Sequence, residues 1–134
     1  HLIPKSDVGK RALKRILEYR FPKTIDSEKA NRLLSSLYSM KCDQDKSLLS
    51  QQFWQDLETV SYKQARYIEL QVFSFLQYYQ QEVKIGNSFD FGDCAFGNIL
   101  FSGAFLRLGC DFNRTIIDLS MICMALLCLK QTRK

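Results

Sequence analysis

Across residues 52–83 the apolar side chains recur at steps of three and four, and this spacing commits the stretch to helix. The stripe comprises Phe53, Leu57, Val60, Ile68, Val72, Phe75, Tyr79 and Val83, interrupted only by Gln64, with Ala65 and Leu76 in a second row beside it. A strand, with its period of two, would scatter the same residues over both faces. A break in this long helix is placed near Ser61. The aromatic residues of the stripe read as core packing, with a cofactor box as the other reading. The chain is therefore expected to be mostly α.

The remaining elements follow from the same rules. A helix is predicted over 8–20, with Ala12, Leu13, Ile16 and Leu17 on one face and Phe21-Pro22 as the stop. A second is predicted over 27–40, with Asp26 as N-cap and Ala30, Leu33, Leu34 and Leu37 as its stripe. Residues 1–4 read as a strand end or extended arm, because Pro4 disfavours helix before it, and 41–50 as a polar loop. Residues 85–88 are a turn, and Phe89-Asp90-Phe91 alternates as a short strand would. A small-residue loop leads into a helix over 98–108, closed by Gly109 in the left-handed region. A final apolar helix over 112–129 starts from Asp111 and is shorter than the roughly 20 residues of a membrane span. That makes about five helices with a short strand or two.

Composition narrows the chemistry. The 134 residues are 46% hydrophobic and 25% charged, values of a folded domain rather than a disordered one. One histidine, His1 at the very terminus, makes a Ser-His-Asp, Cys-His or His-rich zinc centre hard to build. Five cysteines, Cys42, Cys94, Cys110, Cys123 and Cys128, contain no Cys-x-x-Cys pair and read as reduced, mostly buried thiols of a cytoplasmic protein. The chain starts without methionine or a signal pattern, which reads as a cut or incomplete product. Net charge is +5, with nine Lys/Arg against four Asp/Glu in residues 1–40. That excess is a solvated helix face or a phosphate patch. Without interleaved aromatics it gives no expectation of nucleic-acid binding, and no membrane partner is expected either.

Residues 89–109, FDFGDCAFGNILFSGAFLRLG, are the least generic stretch. Strand, small-residue loop and helix are expected in that order, so the first amides of the helix, at Gly97, Asn98 and Ile99, are candidate donors to an anion. Asn98 can both donate and accept, and Ser102 with Gly103 permits close helix packing. The plainer reading has Gly97 as a turn residue and Asn98 as a cap.

The segment resembles the signature of the 2-phospho-lactate transferase family, the CofD-like proteins, and their gluconeogenesis-factor relatives. Phe89-Asp90-Phe91, Phe96-Gly97-Asn98-Ile99, Gly103-Ala104 and Asp111-Phe112 carry the likeness, with Ala95 where the family has Ser. His1 to Asp7 resembles a strand and acidic loop of the family, with Val8 and Lys10 in place of the second Asp and second Gly. Leu17-Glu18-Tyr19-Arg20-Phe21-Pro22 resembles a family helix end. The family's Gly-Gly-Thr-Gly phosphate loop and its Gly-Asp-x-Arg segment do not occur in this sequence.

What the resemblance implies is an interior slice, over 1–134, of an α/β Rossmann-like three-layer parent fold. The parent moves a phospho-lactate or phosphoenolpyruvyl group from a guanosine diphosphate carrier to a deazaflavin alcohol, or binds other nucleotides. Ser6, Gly97 and Asn98 are then expected on the ligand's phosphate side. Asp7 is expected as catalytic residue and metal ligand, with Mg²⁺ as cofactor and a nucleotide-linked small molecule as partner. The chain alone is expected to be inactive. The alternative is a helical interaction module that meets a protein partner or a second copy through exposed apolar helices.

Overall fold

The computed structural model describes residues 5–39 and 50–122. Six helices run through them: α1 (Lys5–Glu18), α2 (Ser27–Ser39), α3 (Gln51–Thr59), α4 (Tyr62–Lys84), α5 (Phe96–Arg107) and α6 (Phe112–Ile122). Among the described residues there is no strand, only an isolated antiparallel bridge between Arg20 and Ala95. The expected extended arm at 1–4, the 41–50 loop (but for Ser50) and the helix beyond Ile122 lie outside the described residues, as do Cys42, Cys123 and Cys128.

The expected break at Ser61 separates α3 from α4. Ser61 accepts from the Gln64 amide at 3.1 Å while Gln64 reaches back to the Ser61 amide at 3.2 Å, a capping box. Gln64 therefore interrupts no stripe; it is part of a helix start. Asp26 caps α2 as expected, accepting from the Lys29 amide at 2.7 Å, and Asp111 accepts from Arg114 at the start of α6 at 3.1 Å.

α4 and α5 end in the same way. Gly86 (φ 91°) and Gly109 (φ 73°) take left-handed backbone, and the amide that follows each reaches back to close the last turn. Asn87 donates to the Glu82 carbonyl at 2.9 Å, and Cys110 to that of Phe105 at 2.8 Å.

Two expectations need correction. α1 ends at Glu18 rather than Arg20, because the backbone of 19–21 turns to serve another segment: Tyr19 accepts from the Phe96 amide at 2.7 Å, and Phe21 donates to the Cys94 carbonyl at 3.0 Å. Phe89-Asp90-Phe91 is not a strand. Without a neighbouring strand among the described residues, its alternation instead buries Phe91 and leaves Phe89 half-exposed.

The core is aromatic. Phe21, Phe53, Phe91 and Phe96 are fully buried, with Phe53 edge-on to Phe96 at 5.2 Å and Tyr79 edge-on to Phe91 at 5.2 Å. α1 meets α3 through an ion pair in which Arg15 Nη2 lies 2.7 Å from Asp56 Oδ1. Asp56 is buried and also accepts from Gln52 at 3.0 Å, so its charge is matched where it leaves water.

α4 and α5 approach so closely that a Cβ on Gly103 would fall 2.0 Å from the Gln71 carbonyl oxygen. Gln71 itself is fully buried and satisfied: Nε2 donates to the Tyr67 carbonyl at 3.0 Å and Oε1 accepts from Arg107 at 3.0 Å. Arg107 continues to Asp118 of α6 at 2.6 Å, and the Tyr67 hydroxyl donates to the same carboxylate oxygen at 2.7 Å.

Gly103→Ala is expected to destabilise the chain by about 1–3 kcal/mol, because backbone rather than a flexible side chain must yield. Gly9→Ala, in α1 with nothing within 4 Å of the added Cβ, is expected to stabilise by about 0.5–1 kcal/mol. Urea denaturation of the two variants checks both, and a tolerated Gly103→Ala would contradict the α4–α5 spacing.

Candidate functional site at the start of α5

α5 begins without a side-chain cap. Ala95 occupies the N-cap position in extended backbone, and its methyl can accept nothing. The Phe96 amide instead donates to the Tyr19 carbonyl, and the Asn98 amide bonds back to Ala95 at 3.0 Å. Gly97 lies against the end of α1, where a Cβ would sit 2.7 Å from the Leu17 carbonyl oxygen. The carbonyl-rich end of α1 thus meets the amide-rich start of α5, a favourable arrangement of the two helix dipoles.

Asn98 is not a cap. It is the third residue of the helix, exposed between buried Phe96 and buried Ile99. Gly97 is not a turn residue either, since the helix already includes it. Its role on this geometry is close packing against α1.

Arg20 is a neighbour that the sequence offered in the basic excess and in the Leu17-to-Pro22 motif, but not as a site residue. Its Nη1 donates to the Asp93 carbonyl at 2.8 Å, and its side chain remains 61% exposed. The Asp93 carboxylate also lies 4.0 Å from the same nitrogen, so Arg20 is paired with an acid on the surface while its other donors face solvent. Burial pushes the Cys94 thiol up from its ordinary pKa, and the positive charge of Arg20 partly offsets this. The signal for Arg20 was its place in the Leu17-to-Pro22 motif, one residue past the end of a helix.

The other expected site residues lie elsewhere. Ser6 and Asp7 belong to the first turn of α1 rather than to a loop. Asp7 is ten residues from Leu17 along α1, or about 15 Å at the helical rise, so it stands at the far end from Gly97 and Asn98. Among the described residues no three His, Cys, Asp or Glu side chains gather as metal ligands. Asp7 alone does not make a magnesium site, and no chemical step is assigned to one.

A concavity lies between the C-terminal half of α4, the turn after it, α5 and Phe112, with a volume of about 860 Å³. Phe75 and Tyr79, read from the stripe as core packing with a cofactor box as the other reading, are buried and also form part of its wall. Among the described residues no helix is long and apolar enough to cross a membrane. No protein-family model, curated protein or solved structure matches the chain.

The raised Cys94 thiol has a direct consequence. Its neutral form persists to higher pH than that of an ordinary cysteine, so the reactive thiolate is scarcer. Iodoacetamide at about pH 8, near the ordinary thiol range, is expected to label exposed Cys110 well before half-buried Cys94. Peptide mapping reads the order, and faster labelling of Cys94 would contradict its surroundings.

Proposed function

We propose that the chain is an interior part of a CofD-like, nucleotide-linked transferase domain, a slice of an α/β parent, and that it is inactive alone. The observation that supports this reading best is the start of α5. There an exposed Asn98, a helix N-terminus and the anchored guanidinium of Arg20 occur together, all three on residues of the motifs that resemble the family. A guanidinium and a side-chain amide are both donors that a phosphate group accepts from. Cytoplasmic location is part of the proposal and agrees with the free thiols of Cys94 and Cys110.

In this reading Arg20 and Asn98 hold the phosphate side of a guanine nucleotide, Gly97 allows α5 to seat against α1, and the rest of the parent domain supplies the missing phosphate loop. Ser6 and Asp7 serve a different part of the ligand, or the acceptor and metal, only when that remainder is present. A second reading, a helical interaction module, draws on α6, which exposes Phe112, Ile116, Ile117 and Met121.

Calorimetric titration with GDP and Mg²⁺ separates the two. Saturable binding is expected, weakened about tenfold or more by Asn98→Ala and by Arg20→Ala, with guanylyl-diphospho-lactate bound but not turned over. Absence of binding, or binding indifferent to both substitutions, favours the interaction module; turnover by the 134-residue chain would overturn the statement that it is inactive.

A further inference from the structure

The concavity beside α4 differs in chemistry from the start of α5. Its volume of about 860 Å³ falls within the range of small-molecule sites, roughly 300–1,000 Å³. Phe75 and Tyr79 are buried, whereas Tyr78, Phe89 and Phe112 are 46%, 42% and 59% exposed. The rings come from separate elements: Phe75 of α4 is edge-on to Phe89 of the turn at 6.0 Å, and Phe101 of α5 lies 5.7 Å from Phe112 of α6.

The charge around these rings has one sign. Among the described residues that line the cleft, Glu82 is the only one charged at neutral pH, and no Lys or Arg borders it. Asn87 Nδ2 donates to its carboxylate, and the same negative charge holds the Tyr78 hydroxyl above its ordinary pKa. A carboxylate has about four acceptor positions, so these neighbours do not exhaust it. Ring faces are the negative part of the aromatic quadrupole, and they add to the same field. An anion would find no counter-charge here. A cation is favoured by the rings and by Glu82 together.

We propose that this cleft binds an organic cation, a positively charged nitrogen carried on a flat aromatic frame. The frame lies between the α4 and α5 rings with the charge toward Glu82. The site is separate from the start of α5 and does not rest on the nucleotide reading.

Fluorescence titration of the full chain with N-methylacridinium, and in parallel with the similarly shaped anion anthracene-9-carboxylate, tests the assignment. The cation is expected to saturate a single site and to bind about tenfold or more tightly than the anion. Glu82→Gln is expected to weaken the cation about fivefold and leave the anion no weaker, and Phe112→Ala to weaken the cation several-fold. Circular dichroism checks that each variant keeps its helices, and Glu82→Gln decides the matter if Phe112→Ala does not. No saturable binding of the cation would sink the proposal. Equal affinity for both probes, unmoved by Glu82→Gln, would likewise overturn it, since the cleft would then be merely apolar.

Discussion

The contact of Gly103 with the Gln71 carbonyl sets the distance between α4 and α5, and much else follows from that distance. With the backbones this close, the Arg107 side chain reaches Gln71 Oε1 on one helix and Asp118 on the next. A wider spacing would strand a fully buried amide, at a cost of about 1–3 kcal/mol for each unpaired group. The orientation of α6 depends on the same chain of bonds, because Asp118 receives both Arg107 and Tyr67. Phe112 consequently sits at the mouth of the aromatic cleft. A residue with no side chain thereby positions a ring nine residues away.

The two candidate sites divide α5 between them. Its first turn is polar in function, with amide ends, exposed Asn98 and the adjacent Arg20. Its later turns present Phe101 and Phe105 to a cleft that holds a carboxylate and no basic side chain among its described lining. Opposite electrostatics at the two ends argue against a single ligand spanning them. The separation of Asp7 from Asn98 along α1 extends the same point, for the residues that the family resemblance groups around one substrate are here distributed over distinct places.

Much of the architecture was legible because capping and periodicity are local. Asp26 and Asp111 each mark a helix start through bonds within four residues, and the break at Ser61 was placed as well, although the Gln64 that completes its capping box was read as a gap in the stripe. The close helix packing allowed by Gly103 was likewise readable from a small residue in an apolar helix. What could not be read is set by distant partners. α1 stops at Glu18 because Tyr19 and Phe21 bond to residues 94 and 96, and α5 starts at Phe96 because the Tyr19 carbonyl accepts its amide. Alternation at 89–91 resembled a strand because period two describes any extended segment with one buried side, whether or not a partner strand exists. Burial of Gln71 had no local signal at all; it depends on Arg107.

The joining of residues 19–21 to 93–96 also constrains how the molecule assembles. These hydrogen bonds close a loop of more than seventy residues, whereas the contacts that form α2, α3 and α4 are short in range. Loop closure is entropically costly and returns nothing until the segments meet, so the joint between α1 and α5 belongs to the late part of the folding reaction. The bridge between Arg20 and Ala95, which fixes where α5 begins relative to α1, is part of that long-range joint.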